Sequence, residues 1–114
     1  MNNVQARINA PTPRWGRHIA DSTVNGHPCR VYTERPRSLG ALLLDAQRWQ
    51  GREFVVQGSR RLTVEQHARA VARVALFLRE RGVNQGDAVM LLAYNQIEWL
   101  LAFWALQSLG ACVV

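Results

Sequence analysis

The stretch Gly82-Val83-Asn84-Gln85-Gly86-Asp87-Ala88-Val89 constrains this chain more than any other. It joins an amphipathic helical pattern to an unbroken apolar run, and a second helical pattern and a further strand start follow by Val114. Upstream, Thr63-Val64-Glu65-Gln66 matches a capping box, with Thr63 and Gln66 each able to take up a free backbone amide. Val64, Ala68, Val71, Ala75 and Leu78 then form an apolar stripe at helical spacing, which Ala72, Leu76 and Phe77 are expected to widen. Arg69, Arg73, Arg79 and Glu80 occupy the opposite face, and Glu65 can pair with Arg69 four residues on. Gly82 suits a left-handed position after the last turn, and Val83 can fold back onto Leu78.

Asn84 to Asp87 reads as a tight turn into Ala88-Val89-Met90-Leu91-Leu92-Ala93. A continuous apolar strand of this kind points to a parallel sheet covered on both faces. Asn95 is placed as the cap of the next helix, with Glu98 as its box partner. From Ile97 to Leu109 that helix is apolar nearly all round and calls for extensive burial. Gly110 ends it, and Ala111-Cys112-Val113-Val114 reads as the start of the next parallel strand, so the pattern predicts a continuation beyond Val114. Alternating strands and helices imply an α/β fold with right-handed crossovers.

Ahead of this unit, Ser38 is a helix cap for a helix from Leu39 to about Trp49 or Gln50, stopped by Gly51. Its apolar face comprises Leu39, Leu42, Leu43, Ala46 and Trp49. Glu53 to Gln57 and Arg60 to Leu62 read as a hairpin about Gly58-Ser59. Residues 1–37 hold all four prolines, at positions 11, 13, 28 and 36, with Gly16 and Gly26 between them. Proline removes an amide donor and restricts its predecessor, so this segment is expected to be an irregular leader before an α/β segment over 38–114. Within it, Asn25-Gly26-His27-Pro28 reads as a turn and Arg30-Val31-Tyr32-Thr33 as a short strand.

Composition narrows the function. The 114 residues suffice for one domain. The net charge is +6 with 14 basic residues, all of them Arg. Six of these lie in residues 1–37 against Asp21 and Glu34, so the excess is concentrated in the leader. The arginines form no run and no helical array beside stacking aromatics, which argues for a solvated face and against a nucleic-acid partner. Cys29 and Cys112 lack further ligands at metal spacing, and the first residues lack an apolar signal-peptide core; a reducing, cytoplasmic setting is expected. The longest apolar run is far short of the about 20 residues that span a bilayer, so no transmembrane segment is expected.

No complete active site is legible. A phosphate loop of the Gly-Lys-Ser/Thr type is impossible without Lys, and no Gly-x-Gly-x-x-Gly follows a strand. Ser22, Ser38, Ser59 and Ser108 read as turn, cap or helix residues, not as a nucleophile elbow. Asp87 reads as a turn carboxylate accepting local amides. His18 and His27 read as surface residues, and His67 as a solvated residue on the polar side of its helix. Catalytic, cofactor-binding and metal-ligating residues are therefore assigned to none of these positions.

Taken as an ordered set, several segments resemble one family. Arg61-Leu62-Thr63 with Arg79-Glu80-Arg81-Gly82-Val83-Asn84-Gln85-Gly86-Asp87-Ala88-Val89 is similar to its pattern Leu-Thr-Tyr…Leu-x-x-x-Gly-Val-x-x-Gly-Asp-x-Val. Leu91-Leu92-Ala93-Tyr94-Asn95-Gln96-Ile97-Glu98-Trp99 and Leu109-Gly110-Ala111-Cys112-Val113-Val114 continue it. The set, from about Arg35 to Val114, resembles the N-terminal part of the large domain of adenylate-forming enzymes, the acyl-CoA synthetase, adenylation-domain and luciferase superfamily. Asn95 with Glu98-Trp99 looks more like the acyl-CoA synthetase branch than the peptide-synthetase branch. Val64 stands where an aromatic is usual, and Tyr94 where Pro is common.

The resemblance implies a mixed or parallel sheet with flanking helices, cut from a larger domain. It implies a parent ligase that uses ATP, Mg and CoA to convert a carboxylic acid to acyl-AMP and then acyl-CoA, in a setting such as fatty acid metabolism. The family's phosphate loop, ribose-binding Asp and catalytic Lys come later in the chain, so this segment is expected to need the remainder of its parent enzyme and to be inactive alone. The alternative is a free-standing α/β binding or homo-oligomeric assembly module, whose partner would cover the apolar third helix.

Overall fold

Asn25 and Gly26 both take positive φ, 51° and 82°, the conformation of a two-residue turn whose twist matches the strands it joins. They connect β1 (Ile19–Val24) to β2 (His27–Tyr32) as an antiparallel hairpin, with Val24 opposite His27 and Ile19 opposite Tyr32. The computed structural model describes residues 18–114, and these divide into two units between Arg35 and Pro36. Residues 19–32 therefore correct the expectation of an irregular leader. The turn chemistry of Asn25-Gly26 outweighs the proline signal, because Pro28 sits opposite Thr23 in a two-stranded ribbon where each strand has a free edge. Pro11, Pro13 and the rest of the leader up to residue 17 lie outside the described residues.

The second unit begins with α1 (Leu39–Asp45), where Ser38 Oγ accepts from the Ala41 amide at 3.1 Å. The expected helix is longer than the observed one: from Ala46 to Trp49 it tightens into a 3-10 turn. At Gly40, α1 approaches a later helix closely enough that a Cβ would lie 3.6 Å from the Ser108 Cα.

The hairpin β3 (Glu53–Gln57) and β4 (Arg60–Thr63) follows. Glu53 faces Thr63 while Val55 faces Leu62, so Phe54 is the extra residue of a bulge. Thr63 then caps α2 (Val64–Glu80), with both halves of the capping box formed. The helix stops in a two-bond motif: Gly82 (φ 90°) donates to Arg79 O and Val83 to Leu78 O. Along α2, Val64, His67 and Val71 are buried. Ala72, Leu76 and Phe77 instead face outward, correcting the wider stripe, and the Arg81 guanidinium covers the Phe77 ring.

Asp87 closes the next turn by accepting from the Asn84 amide at 2.7 Å. Then β5 (Ala88–Val89) pairs in parallel with β6 (Cys112–Val113), and the 13-residue α3 (Ile97–Leu109) makes the crossover. Gly110 (φ 75°) ends α3. The ladder continues past β5, since the Leu91 amide donates to Val114 O. The sheet is not covered on both faces within these residues. Val89 and Leu91 are half-buried, but Met90, Leu92 and Tyr94 are 76%, 91% and 90% exposed. Among the described residues β5 has β6 as its only neighbouring strand, which leaves its other edge open as well.

The core lies where α1, α2 and α3 meet. Leu43, Val71 and Ala105 form its buried centre, with Val74, Ala75, Leu78, Leu101 and Trp104 packed around them. Among the described residues the strands form two antiparallel pairs and one parallel pair, a small α/β arrangement.

Candidate functional site

The buried polar side chain of the core is His67, with no exposed surface. Residues Val64, His67 and Val71 follow one another at three and four positions, so His67 lies on the inward stripe of α2. This corrects the expectation of a solvated His67. Its polarity placed it on the outer face, whereas its spacing was already that of a core residue. The bulge at Phe54 carries an aromatic ring to within 4.7 Å of the imidazole centroid. Trp104, from α3, approaches it edge-on at 6.5 Å.

Neither imidazole nitrogen has a hydrogen-bond partner among protein groups, and Gln47 Nε2 is similarly unpaired. Burial lowers the His67 pKa from its ordinary value, because the charged form would lose its hydration without gaining a partner. The ring is thus held neutral. With no nucleophile or carboxylate hydrogen-bonded to it, it is not arranged as a general base.

Phe54 and Trp104 also form one wall of a cleft of about 200 Å³, completed by Leu42, Ala46, Arg48 and Trp49. The lining is largely apolar, and its charged residues serve each other at the rim. Arg48 bridges to Asp45 at 3.1 Å and covers the Trp49 ring at 3.9 Å. The cleft can receive an apolar group but offers no reactive side chain to it.

The other residues weighed from the sequence do not converge. His18 pairs with Glu34 at 3.0 Å, and His27 is exposed on β2. Asp87 is held within its turn. Ser38 is a cap, and Ser108 Oγ donates to Trp104 O one turn back on α3. Ser22 lies on β1 and Ser59 in the β3–β4 turn. Cys29 and Cys112 are free thiols.

Asn95 and Glu98 require a correction. The residue at the cap of α3 is Gln96, and no side chain of its own supplies the cap. Instead Gln57 Oε1, from β3, accepts from the Ile97 amide at 3.2 Å. Glu98 is drawn away to Arg60 on β4 in an ion pair at 2.5 Å. The hydrogen bond from Arg60 holds its carboxyl below the usual carboxylate range. Partners distant in sequence thus displace the local capping box.

The donor set does not fit Mg-ATP. Five carboxylates, Glu34, Asp45, Glu53, Glu65 and Glu98, are committed to ion pairs with His or Arg. Among the described residues no three His, Cys, Asp or Glu side chains gather into a metal-binding group. No described helix is long and apolar enough to cross a membrane.

The model of the AMP-binding enzyme family matches residues 43–114. The N-terminal domain of FACL13 from Mycobacterium tuberculosis, solved with an inhibitor, is 29% identical and has a TM-score of 0.62; the match covers 67% of this chain and 20% of that one. The anthranilate CoA ligase AuaEII, solved with anthranoyl-AMP, is 23% identical over 67% of this chain and 15% of that one, with a TM-score of 0.63. NpsA-ThdA from Klebsiella oxytoca, an artificially fused adenylation-PCP di-domain, is 21% identical over 74% of this chain and 16% of that one, with a TM-score of 0.69. The last two are alike in fold. The chain spans 15% to 20% of the length of these structures. No curated protein sequence matches the chain.

Proposed function

Because the chain belongs to the AMP-binding enzyme family, we propose that it is the N-terminal segment of an ATP-dependent acyl-CoA synthetase, with residues 38–114 forming part of the large domain. The observation that carries this reading is the family match over residues 43–114, which takes in the whole parallel unit β5–α3–β6. The complete enzyme would join a carboxylate to the α-phosphate of ATP, releasing pyrophosphate. It would then pass the acyl group to the thiol of CoA, releasing AMP. Activation is needed because a carboxylate becomes a good acyl donor only when its oxygen belongs to a good leaving group.

Within this scheme the segment contributes scaffold. Its side chains are spent on caps, turns and ion pairs, and no step of the reaction is assigned to them. The choice of CoA as acceptor rests on the Asn95, Glu98 and Trp99 pattern; the similar structures include a CoA ligase and an adenylation-PCP fusion.

The test is ATP–pyrophosphate exchange with short, medium, long-chain and aromatic acids. The 114-residue chain is expected to show none, and robust exchange would overturn its inactivity. The complete enzyme is expected to show acid-dependent exchange and to form a CoA thioester. Thioester formation on a carrier protein but not on CoA would overturn the acyl-CoA synthetase reading.

A further inference from the structure

We propose that His67 is an acid-operated latch beneath the cleft walled by Phe54 and Trp104: protonation of the imidazole swings those two rings away and lets water reach it through the cleft. The geometry is specific. The imidazole is wholly buried, both its nitrogens lack protein partners, and its ring neighbours come from two elements distant in sequence, β3 and α3. Those same neighbours wall the cleft of about 200 Å³, so the rings that contact the imidazole also line the cleft. A neutral imidazole is tolerated there as a flat, weakly polar core group. An imidazolium is not, because a buried charge without a partner carries a large desolvation penalty.

No neighbouring charge relieves that penalty. On α2, Glu65 is paired with Arg69. Glu53 of β3 is paired with Arg61 of β4, and Arg60 of β4 with Glu98 of α3. Asp45, beside the 3-10 turn, is paired with Arg48 within it. All these groups are exposed, and burial is the sole cause of the lowered His67 pKa. The sign follows directly. A histidine held neutral in the fold but free to protonate when unfolded contributes stability that is fully present above about pH 6.5. That contribution is lost as the pH falls from there toward the lower folded value.

Two measurements on the full chain test the latch. In the wild-type chain, NMR titration should place the His67 imidazole below the ordinary histidine range. The Phe54 ring and Trp104 indole signals should move with it while the Val89 and Val113 methyl signals of the β5–β6 pair stay fixed. An ordinary His67 titration, or Val89 and Val113 signals moving in step, would overturn the latch. In urea unfolding, the wild-type unfolding constant should rise by up to about tenfold per pH unit below about pH 6.5. His67→Leu and His67→Phe should flatten that slope. Parallel profiles for wild type and the His67 variants would show that burial of this imidazole does not oppose its protonation, which would refute the proposal; the ring movement itself is read by the NMR titration.

Discussion

Gln57 on β3 caps α3 across 40 positions of sequence, its Oε1 accepting the Ile97 amide at 3.2 Å. The first amides of a helix have no partner within it, and an acceptor placed there offsets the loss. Gln57→Ala should therefore lower stability by about 1 kcal/mol, in the range of a lost helix cap. Gln57→Glu keeps an acceptor and adds a negative charge at the positive end of the helix, so it should retain most of that stability. Urea unfolding at neutral pH separates the two.

Arg60 of β4 and Glu98 tie the same hairpin to α3 at the surface. Both side chains are more than half exposed, which makes the pair weak and screened by salt. The Glu98 carboxyl is held below its ordinary value, so the pair's contribution is present above that value and fades as the pH falls below it. Glu98→Gln should cause a small loss of stability at low ionic strength that vanishes in concentrated salt. A loss unchanged by salt would assign Glu98 a packing role instead.

Signals carried by neighbouring residues were legible in the sequence. Ser38, the Thr63–Gln66 box, the Gly82 stop, the Asp87 turn and the Gly110 stop all act through groups a few positions away. What was illegible depends on distant partners. Glu98 reads as a cap until Arg60 is brought beside it, and His67 reads as solvated until Phe54 and Trp104 close over it. The bulge that aims Phe54 depends on the register of β3 against β4, which neither strand encodes alone. On α1, a face expected to run through Trp49 is interrupted because the chain tightens at Ala46.

Gly110 and Gln85 are in close approach, and this separates Gly110 from Gly82. Both glycines take positive φ, so an added Cβ is strained at either. At Gly82 it would meet nothing within 4 Å, but at Gly110 it would lie 3.0 Å from Gln85 Cγ. Gly82→Ala should cost about 1–2 kcal/mol, the penalty of a left-handed residue with a side chain. Gly110→Ala should cost more. Adding Gln85→Ala should recover the excess but not the shared backbone term, a non-additivity read from a double-mutant cycle.

Ala105 is fully buried between Leu43 and Val71, where α3 meets α1 and α2. Packing at native density leaves no room for added methylenes, so Ala105→Leu should destabilise the chain by about 1–3 kcal/mol. Leu92 offers the opposite case, being 91% exposed beside the exposed Met90 and Tyr94. An apolar face of this kind favours association. Leu92→Glu should leave the unfolding midpoint nearly unchanged while reducing self-association in sedimentation velocity. A marked fall in stability would instead mean that Leu92 packs inside the folded chain.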